Sequence, residues 1–328
     1  GDNKPVAPVR RNIMLVAFVL GFLIPVVIIY MRENMNTTVR GRKDLKNLNV
    51  PFLGEIPFSV SSKNRPTLEQ RIKFWKKPKE VRMIVVKAGK RDIVNEAFRV
   101  LRTNFEFTIG THPEQNVIVF TSFNPGSGKT HLASNMAMSL AIKKKKVLLI
   151  DGDLRHGSSS MLIHSPGEGL SDYLNGRISD IHDILYKGEE NGLVKNFDMI
   201  PIGTIPPNPT ELLSTPLLEQ MIQTMRQEYD YVFIDCPPIE VVADTPIYEQ
   251  FADRTIFVVR SGLMERSMLP EIDALYKEKK FKNMTLILNG TKTRGGRYGS
   301  HYGYGYGYGY GYGYGYNYNK EKNGGAKS

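Results

Sequence analysis

Residues 117–141 read VIVFTSFNPGSGKTHLASNMAMSLA: an apolar run, a glycine-rich turn, then a run of helix formers. A strand that turns through glycines straight into a helix is the opening of a βαβ crossover, and it commits the chain to a sheet whose strands are joined by helices. The alternation recurs downstream. Strand-like runs fall at 117–122, 146–151, 197–203, 231–235, 255–260 and 285–289, with helical stretches at 129–143, 208–229 and 268–279. The strand runs are apolar nearly throughout instead of alternating, as required when helices cover both faces of a sheet. The pattern predicts an α/β domain with a doubly wound, mostly parallel sheet. Ligands of such sheets bind beyond the carboxyl ends of the strands.

The turn SFNPGSGKT (122–130) sits at such an end. Pro125, Gly126, Ser127 and Gly128 form a loop whose glycines let backbone N–H groups turn toward phosphate oxygens, and the following helix adds its positive end. Lys129 is placed to reach β and γ phosphates, and the Thr130 hydroxyl to ligate magnesium. The common form of this loop has a glycine at the position held here by Phe123. A second strand ends in LLIDGDLR, bringing Asp151, Asp153 and Arg155; a third ends in YVFID, bringing Asp235. Residues two apart at an extended strand end point the same way, so Asp151 and Asp153 are expected to face one site. Three carboxylates around a lysine-bearing phosphate loop can divide labour, holding a cation and orienting or deprotonating the attacking group. Asp153 also has the plainer reading of a helix cap.

Residues 13–30, IMLVAFVLGFLIPVVIIY, carry no charge. As a helix, 18 residues at 1.5 Å each extend about 27 Å, enough to cross a hydrocarbon core. Arg32, Arg40, Arg42, Lys43 and Lys46 follow the run and outnumber Lys4, Arg10 and Arg11 before it, which places the C-terminal side in the cytoplasm. The one cysteine, Cys236, permits no intrachain disulfide and agrees with a reducing compartment. The net charge of +11 fits an anionic membrane surface or a nucleic acid. Basic residues beside an apolar span favour the membrane, and no nucleic-acid recognition signature accompanies them. The expected domains are a stub at 1–12, a transmembrane helix at 13–31, a juxtamembrane linker at 32–80, a phosphate-loop domain at 81–294 and a disordered tail at 295–328. The start at Gly1 is expected of a piece of a longer chain.

These motifs together resemble the bacterial tyrosine kinases (BY-kinases), cytoplasmic domains of the polysaccharide co-polymerases for capsule and exopolysaccharide. SFNPGSGKT resembles their Walker A loop, VLLIDGDLR their Walker A′ motif and YVFIDCPP their Walker B motif. IPPNPTELL (205–213), GEGLSDYLNG (167–176) and PFLGEIP also look like family segments. The resemblance implies a phosphate-loop NTPase of the partitioning-ATPase-like class that uses ATP and Mg2+. Partitioning and septum-site ATPases carry a second lysine early in the loop, where this chain has Asn124, and that departure favours the kinases. By the same resemblance Asp151 accepts the attacking phenol's proton, Asp153 and Asp235 serve magnesium with Thr130, and Asn289 contacts the base. A turn-forming Asn289 is the alternative for that strand end. Arg155 has two readings, charge on the transferred group or a brace for the loop. Glu96, Arg99 and Arg102 match the family's ExxRxxR motif of ring assembly; a solvated helix face is the alternative.

The tail bears Tyr298, Tyr302, Tyr304, Tyr306, Tyr308, Tyr310, Tyr312, Tyr314, Tyr316 and Tyr318. Alternating Gly and Tyr offers no core to offset the entropy of folding, so every phenol is expected to stay accessible. The resemblance makes them phosphoacceptors in a neighbouring subunit's active site. The implied protein is a membrane-bound, ring-forming protein-tyrosine kinase of the bacterial inner membrane that regulates polysaccharide polymerisation and export. Its implied partners are a cognate tyrosine phosphatase and the polymerisation and export machinery, with no nucleic acid. The alternative is a membrane-tethered ATPase switch whose tail only self-associates.

Overall fold

A computed structural model describes residues 10–34, 37–58, 84–109, 112, 114–241 and 244–292. The chain divides into two units, 1–293 and 294–328. The tyrosine row belongs to the second and lies outside the described residues, as does the disorder expected of it.

The seven strands of the sheet are β1 (Phe52–Pro57), β2 (Val117–Thr121), β3 (Val147–Asp151), β4 (Phe197–Ile200), β5 (Tyr231–Asp235), β6 (Arg254–Arg260) and β7 (Thr285–Thr291). They lie in the order β1-β7-β6-β2-β5-β3-β4, every neighbouring pair parallel. The sequence-predicted strands match β2 to β7 in place, with 197–203 shortened at its C-terminal end and 285–289 extended. Alternate side chains of one strand enter two different cores. Ile118 and Phe120 of β2 join the layer under helices α2 (Ile93–Ile109) and α3 (Lys129–Ala141), with Phe98, Leu101, Leu132 and Met136. Val117 and Val119 join the opposite layer with Leu218, Met221 and Met225. Burial on both faces is why these strands read as apolar runs.

On that second face lie α4 (Leu170–Leu174), α5 (Pro209–Leu213), α6 (Pro216–Glu228) and α7 (Thr245–Glu249). The helical stretch expected over 208–229 is two helices. Thr215 is extended (φ −78°, ψ 149°), the conformation favoured by a residue before proline, and Pro216 then opens α6. A third cluster packs α8 (Leu269–Lys277), through Ile272, against Phe257, Val259, Leu286 and Leu288.

The expected linker is corrected in part. Residues 37–58 belong to the folded domain: Val39, Leu45 and Val50 are buried in the third cluster, and β1 pairs along β7 as the edge strand. Val39 exchanges backbone hydrogen bonds with Met264 and Gly262, and Asn49 donates to Asp273 of α8. Gly54 is needed in β1 because a Cβ there would meet Leu101 of α2 at 2.9 Å. Pro57 is tolerated at the end of an edge strand, where a missing N–H breaks no interior ladder.

The first helix, α1 (Arg10–Asn34), is apolar over Arg11–Met31, with a mean hydropathy of 2.9 and no buried part. By length and composition it can cross a bilayer.

Candidate active site

The phosphate loop links β2, the middle strand, to α3. Gly126 and Gly128 both have left-handed backbones, at φ 73° and 90°. At Gly128 the approach is also close, because an added Cβ would strike Asn289 Nδ2. Ser127 donates to the Asn124 carbonyl at 2.7 Å, and Asn289 Nδ2 donates to the Ser127 carbonyl at 2.9 Å. Two side chains therefore hold the loop's shape from inside and below. Phe123, where the common motif has glycine, is a core residue whose ring packs on Phe257 at 5.2 Å. Losing the glycine thus anchors the loop to β6.

On the β5–β3 flank the carboxylates converge. Asp151 and Asp235 end adjacent strands directly opposite one another, both buried. Asp151 Oδ2 accepts from the Ser160 N–H and hydroxyl, each at 2.7 Å. Asp235 Oδ2 accepts from Thr130 and Ser159, each at 2.6 Å, while its Oδ1 has no partner. Burial pushes the Asp151 carboxyl up to about 8, with Asp235 adding to the rise and Ser160 opposing it. Asp235 is raised as well, first by burial, against the pull of Ser159, Thr130 and Lys129. Burial lowers Lys129, while Asp235 and then Asp153 favour its charge.

Asp153 lies beyond the strand, because the chain leaves β3 at Gly152. Its carboxylate accepts from the Arg155 N–H and faces His156 Nδ1, both at 3.2 Å, so it caps the turn that follows. It also contributes to the field at Lys129. Arg155 makes an ion pair with buried Asp244, 3.2 Å from Nε to Oδ2, and donates to Thr210 at 3.1 Å, tying its turn to the start of α5. Glu96 and Arg99 pair at 2.8 Å on the exposed side of α2. Arg102 turns inward and donates to the Ser139 carbonyl of α3 at 2.8 Å. Of the expected residues, the structure brings together Lys129, Thr130, Asp151, Asp153 and Asp235, and sets Asn289 under the loop. Sequence reasoning passed over Ser159 and Ser160, although the triple serine at 158–160, two residues after LLIDGDLR, was the available signal.

A magnesium ion fits this donor set. The orphaned Asp235 Oδ1, the Thr130 hydroxyl and the Asp153 carboxylate are hard oxygen ligands, and magnesium is commonly held by one or two carboxylates with phosphates and water. Among the described residues, no group of three or more His, Cys, Asp or Glu forms a metal cage on its own.

A family model described as an AAA domain matches residues 115–264. The chain is 33% identical over 259 residues to tyrosine-protein kinase wzc of Salmonella typhimurium, covering 77% of this chain and 34% of that protein. It is 31% identical over 265 residues to tyrosine-protein kinase etk of Escherichia coli K12, covering 79% and 36%. The solved kinase domain of Escherichia coli tyrosine kinase ETK superposes with a TM-score of 0.66 at 29% identity, covering 85% of this chain and 100% of that one. This chain belongs to the bacterial tyrosine kinases. Within that family it spans about a third of the length of the curated relatives named above. The bacterial tyrosine-kinase motifs read from the sequence fall on the elements just described: Walker A on the β2–α3 loop, Walker A′ at the end of β3 and Walker B at the end of β5.

Proposed function

We propose that this chain transfers the γ-phosphoryl group of ATP to tyrosine hydroxyls, and that the tail tyrosines of a neighbouring copy are its acceptors. The observation that supports this most is the pairing of Asp151 with Asp235 beside Lys129. Burial raises the Asp151 carboxyl to about 8, near the working pH, and Asp235 keeps one oxygen without a protein partner. A base whose pKa lies near the working pH is matched to proton transfer from a phenol.

In the step, the tyrosine oxygen forms a bond to the γ phosphorus while the bond from that phosphorus to the β–γ bridging oxygen breaks, and ADP leaves. The phenolic proton passes to the ionised Asp151. Lys129 and the loop N–H groups receive the charge that develops on the phosphate oxygens. Thr130, Asp235 and Asp153 would hold Mg2+, which neutralises phosphate charge when bound. The Ser160 N–H and hydroxyl occupy Asp151 Oδ2 in the structure, so those bonds would be exchanged when the phenol arrives. Ser160 is a positioning residue in this reading.

The apolar helix α1 supports a membrane anchor, and the basic residues after it support an inner-membrane protein with its kinase domain in the cytoplasm. A ring of copies, with Glu96 and Arg99 on its contact face, would bring each tail to a neighbour's site. Regulation of capsule or exopolysaccharide polymerisation and reversal by a tyrosine phosphatase complete the reading. Incubating the purified chain with ATP and Mg2+ tests it. Phosphotyrosine that disappears in Lys129→Met and Asp151→Asn is expected. Phosphate release without phosphotyrosine would replace the kinase by an ATPase switch.

A further inference from the structure

The phosphate loop has two flanks. Asp235 and Asp151 close the one formed by β5 and β3. On the other, Arg260 closes β6 and faces Asn289 of β7, paired in register. If the γ end of a nucleotide lies beside Lys129 and Asp235, the linear triphosphate carries its nucleoside toward Arg260 and Asn289.

Asn289 already uses its amide on the Ser127 carbonyl. Arg260 is different. It is half-buried, and burial is the one influence on its charge, which lowers its pKa. A partly desolvated cation ordinarily needs a counter-charge or hydrogen bonds to offset that cost. Among the described residues no carboxylate lies within ion-pair reach of it and none of its N–H groups has an acceptor, although the Phe58 ring lies 5.6 Å from the guanidinium carbon. Two left-handed glycines leave it room. A Cβ at Gly290 (φ 74°) would meet the guanidinium carbon at 2.5 Å, and one at Gly128 would lie 3.9 Å from Nη1. The guanidinium thus rests in a slot between the phosphate loop and β7, one face toward an aromatic ring and its donors unspent.

We propose that Arg260 is a nucleoside-binding residue, donating from its planar fork to the ribose and base edge of the bound nucleotide while Phe58 holds the plane. This rests on the nucleotide-binding reading given above. A planar fork matches paired acceptors in a way that a lysine ammonium does not.

The test compares a ligand with a nucleoside to one without. The full chain in detergent micelles is titrated calorimetrically with ADP and with pyrophosphate, both with Mg2+. Arg260→Met is expected to weaken ADP by about tenfold or more while leaving pyrophosphate within about twofold, and Arg260→Lys to resemble Met in this respect. Unchanged ADP affinity in Arg260→Met overturns the proposal, and so does equal weakening of both ligands, which would mark a long-range charge effect. If Arg260→Met fails to fold, Phe58→Leu is the substitute: selective loss of ADP affinity supports the proposal, and unchanged affinity overturns it. A wild-type chain that binds neither ligand removes the nucleotide reading and this inference with it. A chain that binds pyrophosphate and ADP alike before and after substitution removes only this inference.

Discussion

The carboxyl of Asp151, raised to about 8 by burial, makes the ligand-free protein pH-sensitive in a predictable direction. Between the ordinary aspartate value near 4 and 8, the native state holds a proton at this site that the unfolded chain has lost. Stability therefore falls as pH rises through that window, at about 1.4 kcal/mol per pH unit where the difference is complete. Asp151→Asn keeps an acceptor for Ser160 but cannot ionise, so it lacks this dependence. From pH 5.5 to 7.5 the wild type should lose on the order of 2–3 kcal/mol relative to Asp151→Asn. With a urea slope of about 2–3 kcal/mol/M, that moves the difference in midpoints by roughly 1 M. The assay is urea unfolding of both chains in EDTA at pH 5.5, 6.5 and 7.5. A difference in midpoints that stays flat with pH would refute the argument, because it would mean that Asp151 is ionised in the native state despite its burial. Mg2+ with ADP should flatten the slope, since a cation at Asp235 removes part of what raises Asp151.

Gly128→Ala forces a Cβ onto Asn289 at a backbone of φ 90°, so it should cost about 1–3 kcal/mol in thermal unfolding and abolish nucleotide binding by calorimetry. Arg102→Ala should cost about 1–2 kcal/mol in urea because the Ser139 carbonyl loses its donor. Arg99→Ala, exposed on the same helix, should change stability by less than about 0.5 kcal/mol and act on oligomer size, as read by sedimentation velocity. Ser160→Ala removes one of the two donors that hold Asp151 down, so the ascending, acid-side limb of the pH–rate profile should move to higher pH, with KM for ATP little changed.

The core of the fold was legible because burial on two faces leaves a strand no choice of composition. All of β2 through β7 announced themselves as apolar runs, and the glycines of the phosphate loop marked the turn that matters. The edge strand β1 escaped notice for the converse reason. It has a neighbour on one side only, carries Glu55 in the exposed position of its burial pattern and is bounded by Pro51 and Pro57, all of which read as linker. The reactive residues were legible as types but not as geometry. Asp151, Asp153 and Asp235 were expected at one site and a cap was the plainer reading of Asp153, yet nothing in their spacing says that Asp235 keeps a free oxygen. Ser159 and Ser160 act only because the chain folds back after Gly157, a long-range fact that a local pattern does not contain. Arg102 was placed on an assembly surface by its motif, whereas the pitch of α2 sends its guanidinium to α3.

The most direct measurement mixes two chains: Lys129→Met with its tail intact, and an active chain lacking residues 296–328. The account predicts phosphotyrosine on the Lys129→Met chain once ATP and Mg2+ are added, located among Tyr298 to Tyr318. An unmodified Lys129→Met chain in this mixture, under conditions where the wild-type chain by itself becomes phosphorylated, would contradict transfer between copies.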